Sequence, residues 1–264
     1  MARKSCYPES LIEKTLQFVS ERKKETGGFG ATRLLPPTVE DTYHALMILL
    51  TIQEETDIET LPLDDNGLKS FLREREDEPT KNARTLFQIA KSMITIRMEP
   101  DQKKLKDFAL YRISQDVPLE EIYYSARIFN EILQEEFPCP SHILNLKTWR
   151  TAKDLRMLMY SKGKDSISNK DKKTYVQWLQ DCQNYDGGFG FMPGTTSYVE
   201  NTHTCLRALE WLNSPPKDST AAKNFILACR TVRGGFSRIQ GAAPFLDATW
   251  HGIISLKLAS QYSS

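Results

Sequence analysis

The stretch GGFGFMPGTTSYVENTHTCLRAL (187–209) has two ungapped counterparts elsewhere in the chain. They are GGFGATRLLPPTVEDTYHALMIL (27–49) and GGFSRIQGAAPFLDATWHGIISL (234–256). In each copy a threonine follows the first glycine of the Gly-Gly-Phe triplet by fifteen residues. These threonines are Thr42, Thr202 and Thr249. Self-similarity at a fixed spacing is typical of repeat architectures, so the sequence predicts a repeated structural unit.

Each copy predicts a hairpin of two helices. An amphipathic segment such as SLIEKTLQFVSERKK (10–24) precedes the glycines and carries apolar residues at helical spacing. We expect the glycine pair to end this helix, because glycine tolerates the left-handed C′ position. A second, more apolar helix follows the loop and opens with an acid, which suits the positive end of the helix dipole. The unit therefore consists of a polar outer helix and a buried inner helix.

Three further inner helices fit the same alignment without a glycine pair, and they place Ala83, Ile122 and Thr148 at the threonine position. Six hairpins of about 44 residues then fill the 264 residues. Neither end of the chain has a polar capping helix, which favours a closed ring over an open stack. We expect a single all-α domain over 1–264, an (α/α)6 toroid of six helical hairpins around a central cavity. The polar stretch 161–173 predicts the loop between hairpins four and five.

Composition narrows the function classes. Lys plus Arg number 35 and Asp plus Glu 34, a net charge of +1 that argues against broad electrostatic binding of nucleic acid or an anionic membrane. No apolar run is long enough for a membrane span. The five cysteines are an odd number without a CxxC pair, which argues against a disulfide scaffold or a zinc ribbon. This pattern favours a reduced, cytoplasmic protein.

The stretch QNYDGGFGFMPG (183–194), followed by VENTHTCLRALEWL (199–212), closely resembles the repeat of protein prenyltransferase β subunits and squalene-type terpenoid cyclases. The resemblance is strongest over 174–264, good over 10–52 and faint between them. It implies an α/α toroid whose aromatic-lined cavity holds an isoprenoid, and for the prenyltransferases a helical partner subunit. A repeat of this kind specifies the fold much more than the chemistry.

The resemblance also implies a metal site. Zinc-dependent protein prenyltransferases hold the metal with an Asp-x-Cys at the start of one inner helix and a His on a later one, and the zinc turns an acceptor cysteine into a thiolate. The matching residues here are Glu200, Thr202 and His251. Since a neutral hydroxyl replaces the thiolate, we expect no family-type zinc; Cys205 lies one helical turn away and is a poor substitute. The cyclase DxDD pattern is absent, and the acidic stretch 64–66 before Gly67 indicates a turn.

The aligned inner helices predict a ring of aromatic side chains. The position after the threonine is occupied by Tyr43, Arg84, Tyr123, Trp149, His203 and Trp250. The next position adds His44, Arg150 and His251. We predict that the rings, together with His44, Arg84 and Arg150, bind a ligand, since such rings suit a polyisoprenoid and can face a cation. The alternative is that the rings only fill a dry core.

Charged residues gather at the same end. Two positions before the threonine, the acids are Glu40, Glu120, Glu200 and Asp247. We predict His251, Glu200 and Asp247 as candidate catalytic residues. Helix capping is the alternative explanation for each acid. Lys81, Arg84, Lys147 and Arg150 are candidates for meeting a diphosphate, and a solvated rim is the alternative.

Three functions fit this pattern. The first is a prenyltransferase-like protein that binds an isoprenoid, or a similar apolar ligand, and transfers a prenyl group. The second is a non-catalytic relative that binds a ligand or a protein partner. The third is a two-carboxylate glycosidase, because six-hairpin toroids also host that chemistry.

Overall fold

The computed structural model describes residues 7–56, 58–79, 82–145 and 148–262; Lys81 and Lys147 lie outside this part of the chain. Helices alternate between two layers. The outer helices are α1 (Glu9–Ser20), α3 (Asn66–Asp77), α5 (Gln102–Ile113), α7 (Ser141–Asn145), α9 (Asn169–Asp181) and α11 (Ser219–Ala228). The inner helices are α2 (Val39–Thr56), α4 (Ala83–Thr95), α6 (Leu119–Arg127), α8 (Ala152–Lys162), α10 (Val199–Trp211) and α12 (Leu246–Ser260).

A π-helical segment, Ile128–Leu133, continues α6, and a short 3-10 turn, Lys164–Ser166, follows α8. Two-residue strands β1 (Phe236–Ser237) and β2 (Pro244–Phe245) pair antiparallel ahead of α12. None of the helices in the described ranges is long and apolar enough to cross a membrane.

The inner helices form a closed ring. Each contacts the next, from α2 through α4, α6, α8 and α10 to α12, and α12 packs back against α2. The predicted α/α toroid is confirmed. Burial explains the closure, because α2 and α12 are apolar on most of their surface and a neighbour on both sides removes that surface from water.

The repeated threonines fasten each loop to its inner helix. The Oγ1 atoms of Thr42, Thr202 and Thr249 accept the backbone N–H of Phe29, Phe189 and Phe236 at 3.0, 3.0 and 2.9 Å. The Thr202 and Thr249 hydroxyls in turn donate to the carbonyl four residues earlier. The fifteen-residue spacing is therefore a requirement of this hydrogen bond, which is buried in all three copies.

The first glycine of each triplet lies against the next outer helix. A Cβ on Gly27 would stand 2.1 Å from the carbonyl oxygen of Gly67 in α3, and one on Gly187 would stand 2.1 Å from that of Ala221 in α11. A Cβ on Gly234 would stand 2.2 Å from the carbonyl oxygen of Lys14 in α1, so this glycine joins the last hairpin to the first.

The expectation that the glycine pair ends the outer helix is wrong. Helices α1, α9 and α11 end several residues earlier, at Ser20, Asp181 and Ala228, with caps in the right-handed region. All of these glycines except Gly188 have positive φ in the turn that follows, where the next outer helix approaches the first glycine of each pair.

The alignment of two inner helices also needs correction. Arg84 forms an ion pair with Glu40, and Lys153 forms one with Glu120. Arg84 in α4 and Lys153 in α8 therefore stand at the height of the acids, two positions before the threonine position of their own helices. The threonine position in α4 is then Leu86 rather than Ala83, and in α8 it is Leu155 rather than Thr148. The errors are three and seven residues, about one and two helical turns. Such shifts rotate a side chain by only about 60° and 20°, so apolar periodicity does not detect them.

The two predicted loops are confirmed only in part. The stretch 161–173 joins hairpins four and five, but its first two residues belong to α8 and 169–173 belong to α9, which Ser168 caps by accepting the Asp171 N–H. In the acidic stretch 64–66, Asn66 is the first residue of α3, and the carboxylate of Asp65 caps that helix by accepting the Leu68 N–H at 2.9 Å.

Ring closure through Gly234 predicts a large loss of stability in Gly234→Ala. We expect the free energy of unfolding to fall by roughly 3 kcal/mol or more, because the alanine suffers both the cost of a left-handed backbone and a clash with the Lys14 carbonyl. Gly241→Ala is the matched control, since Gly241 has a φ of +83° and open space around it. It should lose only the left-handed strain, about 1–2 kcal/mol. Urea unfolding of both variants measures the difference, and equal losses would contradict the role of Gly234.

Candidate functional site

The axis of the ring is hollow, and its wider part lies at the N-terminal ends of the inner helices. This upper chamber holds about 420 Å³. Its rim consists of one residue from each inner helix: Glu40, Arg84, Glu120, Lys153, Glu200 and Asp247. One turn deeper lie His44, Gln88, Tyr124, Met157, Thr204 and His251. The corrected alignment therefore places equivalent positions of all six helices around one cavity.

A lower chamber of about 260 Å³ lies further along the axis. The two chambers share Tyr123, Arg127, Arg156 and Trp250. His203 and Trp211 also line the lower chamber. The shared residues show that the chambers adjoin and that rings and guanidinium groups stand between them.

Most rim charges are neutralised locally. Arg84 pairs with Glu40, Lys153 pairs with Glu120 at 2.9 Å, and Arg238 pairs with Asp247 at 3.0 Å. Glu200 differs, because its Oε2 is buried and has no hydrogen-bond partner among the described residues. Burial raises the pKa of this carboxyl group. The upper chamber thus contains one carboxylate that is open to a ligand.

Three histidines surround Trp250. The Nδ1 atoms of His251 and His203 are 2.9 Å apart, and the Trp250 ring lies 5.3 Å from His44 and 5.0 Å from His203. Burial lowers the pKa of His44 to about 4, and it lowers the pKa values of His203 and His251 well below their ordinary range. All three are neutral near pH 7, so one Nδ1 of the close pair carries the proton and the other accepts it.

Arg127 anchors the wall between the chambers. It donates two hydrogen bonds to Glu131, at 2.7 and 3.1 Å, and its guanidinium lies 3.9 Å above the Phe87 ring. The Tyr160 hydroxyl donates to the same carboxylate at 3.1 Å. Burial opposes ionisation of Glu131, but Arg127 outweighs it and lowers the pKa of that carboxyl group. The Arg127 charge is therefore compensated within the protein.

Arg156 is the cavity cation without such compensation. It has no carboxylate partner among the described residues, and its guanidinium lies 5.9 Å from the centre of the Tyr123 ring. The sequence reasoning missed both Arg127 and Arg156. With the correct alignment of α8, Arg156 occupies the position equivalent to Tyr43 and Trp250, so the periodic pattern contained the signal for it.

Most predicted site residues meet at the cavity. Those that line the chambers are Tyr43, His44, Arg84, Tyr123, Glu200, His203, Asp247, Trp250 and His251. Trp149 does not, because it packs against Tyr175 and Trp178 of α9 at ring distances of 5.0 and 6.0 Å. Arg150 is exposed to solvent just ahead of α8. Trp149 and Arg150 were predicted at the cavity because the sequence alignment of α8 was shifted by seven residues.

The residues at the implied zinc site do not fit the metal. The Thr202 hydroxyl accepts the Phe189 N–H and donates to the Tyr198 carbonyl, so it holds its loop and remains a neutral alcohol, which is not among the usual zinc ligands. Burial raises the pKa of the Cys205 thiol well above its ordinary range, which disfavours a thiolate. Within the described ranges, no group of three or more His, Cys, Asp or Glu side chains is placed to hold a metal ion.

The buried histidines predict that the free energy of unfolding falls as the pH decreases below about 6.5. Histidine in the unfolded chain takes up its proton near that pH, whereas His44 does so only at about 4 in the folded protein. The unfolded state therefore binds more protons between these values. His44 alone should cost about 3 kcal/mol between pH 7 and pH 4. Urea unfolding across this pH range measures the slope.

The His44→Gln variant should show a flatter slope than the wild type. His142, exposed on α7, is the matched control, and His142→Gln should keep the wild-type slope. The raised pKa of Glu200 acts in the opposite sense, but it is common to all three proteins. Identical slopes for the wild type and His44→Gln would show that the folded protein does not hold His44 neutral.

Comparisons with known proteins agree with the fold. Residues 4–95, 146–223 and 217–264 match the family described as the prenyltransferase alpha-alpha toroid domain. A curated relative is the geranylgeranyl transferase type-1 subunit beta of Arabidopsis thaliana, 21% identical over 157 aligned positions. The alignment covers 37% of this chain and 42% of the relative, so it spans less than half of either protein.

Among solved structures, the chain is similar to Candida albicans protein geranylgeranyltransferase-I complexed with GGPP. The TM-score is 0.40 and the identity 11%, over 96% of this chain and 92% of the other. The family match covers most of the chain and includes all three Gly-Gly-Phe repeats. The chain belongs to the prenyltransferase alpha-alpha toroid domain family.

Proposed function

We propose that this chain binds an isoprenoid diphosphate in its axial cavity. The observation that carries the proposal is the junction of the two chambers, which Tyr123, Trp250 and the guanidinium of Arg156 line together. The Tyr43 ring lies 5.9 Å from that of Trp250 on the side of the upper chamber. Aromatic rings bury an apolar chain, and a guanidinium recognises a phosphate. The chamber volumes of about 420 and 260 Å³ together suit a small-molecule ligand, for which sites of about 300–1,000 Å³ are usual.

The relatives narrow the choice of ligand. The Arabidopsis protein is by name a geranylgeranyl transferase subunit, so geranylgeranyl and farnesyl diphosphates are the first ligands to test. Family membership favours this class over the two-carboxylate glycosidase, for which the comparisons give no support.

The site supports binding of the isoprenoid diphosphate better than zinc-assisted transfer of its prenyl group. Transfer to a thiol needs a thiolate, and the position of the sulfur ligand is occupied by Thr202, whose hydroxyl is engaged within the fold. Transfer is the second candidate, and the observation that favours it is a neutral His251 that lines the upper chamber, as Glu200 does. A neutral imidazole can take a proton from an acceptor.

Ligand-induced stabilisation tests the proposal. We expect farnesyl or geranylgeranyl diphosphate to raise the melting temperature of the wild type but not that of Trp250→Ala. Trp250 is partly packed, so its truncation should cost about 2 kcal/mol, between an ordinary substitution and a fully buried tryptophan. Trp149→Ala is the matched control, because it removes the same side chain outside the cavity and should keep the ligand response. No stabilisation of the wild type by either diphosphate would reject isoprenoid binding.

A helical partner subunit is a further part of the proposal. Apolar side chains are exposed in the three loops that precede α2, α10 and α12, including Leu34, Phe191 and Phe245. Exposed apolar side chains grouped at one end of a protein favour a partner surface, and the Arabidopsis relative is named as a subunit.

The partner surface predicts a specific pattern of protection. On mixing with a helical subunit that binds the chain, amide hydrogen exchange should slow in these three loops and remain unchanged in outer helix α5. The Phe191→Ser variant should weaken the complex by about tenfold, the loss expected from one buried aromatic contact. Protection confined to other surfaces would contradict this assignment.

A further inference from the structure

Among the rim acids of the described chain, Glu200 alone forms no ion pair. The other three each pair with a base. Arg238 acts on Glu200 through its charge, but its guanidinium donates to Asp247 at 3.0 Å. The Oε2 atom of Glu200 is buried and has no hydrogen-bond partner among the described residues. A carboxylate oxygen without a donor costs free energy, so this position favours a ligand that supplies one.

His44 gives an independent indication of a ligand in the same chamber. Its side chain is only 4% exposed and lines the upper chamber one turn below the rim. Its Nδ1 has no hydrogen-bond partner among the described residues. Burial lowers the pKa of His44 to about 4, so the ring is neutral near pH 7 and carries one proton. If that proton is on Nε2, the Nδ1 lone pair is free to accept a hydrogen bond from a ligand.

Aromatic rings beside these acceptors suit a cation. The Trp250 ring lies 5.3 Å from the His44 ring and 5.9 Å from the Tyr43 ring, and all three side chains line the upper chamber. The face of an indole attracts a cation through its quadrupole, more strongly than a phenol does. A ligand that donates hydrogen bonds and carries positive charge therefore matches both the unpartnered acceptors and the rings.

The cations of the chamber stand deeper than Glu200. Glu131 compensates Arg127. Arg156 lies three residues beyond Lys153, the α8 residue at the height of Glu200, which places it about 4.5 Å further along the axis. No ion pair joins Glu200 to Arg156 in the described part of the chain. The upper chamber is thus polarised, with an unpaired carboxylate at its rim and an unpaired guanidinium at its floor.

We propose that the upper chamber binds a protonated amine, whose ammonium group donates to the carboxylate of Glu200 and faces the rings, while a second donor of the same ligand reaches Nδ1 of His44. Glu200 lines the chamber, and rotation of its carboxylate about the Cγ–Cδ bond exchanges the two oxygens. The amine site needs neither a prenyl chain nor a diphosphate, so it is tested apart from the proposed function.

Calorimetric titration with tyramine tests the amine site. Tyramine carries an ammonium group, a ring and a phenolic hydroxyl, and tyrosol has a hydroxyl in place of the ammonium. The wild type should bind tyramine about tenfold more tightly than tyrosol, the difference expected for a hydrogen bond to a charged group. Glu200→Gln should remove this preference, and Glu13→Gln on the exposed face of α1 should keep it.

The second acceptor is tested with 2-phenylethylamine, which lacks the phenolic hydroxyl of tyramine. His44→Ala should weaken the binding of tyramine by several-fold and leave that of 2-phenylethylamine within about twofold. If His44→Ala does not fold, histidine NMR of the wild type decides the question. Tyramine should then move the Nδ1 signal of His44 and leave the signals of the exposed His142 unchanged.

Thermal unfolding separates ligand binding from a structural role of Glu200. Glu200→Gln should melt at the wild-type temperature or above it, because it removes a charge that is partly buried without a partner. A melting temperature several degrees below that of the wild type would assign Glu200 to the fold and overturn the amine site. Equal affinities of the wild type and Glu200→Gln for tyramine would overturn it as well.

The remaining outcomes distinguish this inference from the proposed function. Tyramine binding that depends on Glu200, without stabilisation by farnesyl or geranylgeranyl diphosphate, would support the amine site and reject isoprenoid binding. Stabilisation by a prenyl diphosphate without any binding of tyramine would support isoprenoid binding and overturn the amine site.

Discussion

A single hydrogen bond, repeated three times, holds the ring in its geometry. The threonine hydroxyl in the first turn of α2, α10 and α12 accepts the N–H of the phenylalanine that follows the glycine pair. A buried backbone N–H without an acceptor costs about 1–3 kcal/mol, so the threonine is needed wherever this turn is buried. The bond holds the turn that follows each outer helix against the first turn of the inner helix. The cavity-lining residues of these three inner helices take their height on the axis from it.

The same hydrogen bond explains why residue 202 is not a metal ligand. In the zinc-dependent relatives that the sequence resembles, the residue at this position of one inner helix is a metal ligand, whereas here Thr202 serves the fold, as Thr42 and Thr249 do. A buried hydroxyl that donates its proton to a backbone carbonyl stays a neutral alcohol, and the protein ligands of zinc are thiolates, imidazoles and carboxylates. Glu200 and His251 remain at the upper chamber without the third ligand. The position that the resemblance assigns to a thiolate ligand therefore carries a neutral hydroxyl instead.

Charge compensation divides the cavity into two parts. Glu40, Glu120 and Asp247 lie opposite bases at the rim, so the rim is close to neutral there despite its many charges. Below Trp250, Glu131 pairs with Arg127, while Arg156 has no carboxylate partner among the described residues. The neutral histidines fit this arrangement, because burial and neighbouring cations such as Arg156 disfavour a further positive charge on His203 and His251.

The sequence by itself determined the repeat, the closed ring and most of the cavity lining. Where the Gly-Gly-Phe turn is present, the hydrogen bond from turn to helix sets an unambiguous alignment, and Tyr43, His203, Trp250 and His251 were all placed correctly at the axis. Tyr123 was also placed correctly, although α6 has no such turn.

In α4 and α8, only helical periodicity was available, and a shift of three or seven residues preserves nearly the same face. Only the tertiary structure decided that Arg156, and not Trp149 or Arg150, reaches the cavity, because the height of a helix along the axis depends on its neighbours in the ring. The ion pairs of Arg84 with Glu40 and Lys153 with Glu120 fix that height, and residues far apart in the chain meet there only after the ring has closed.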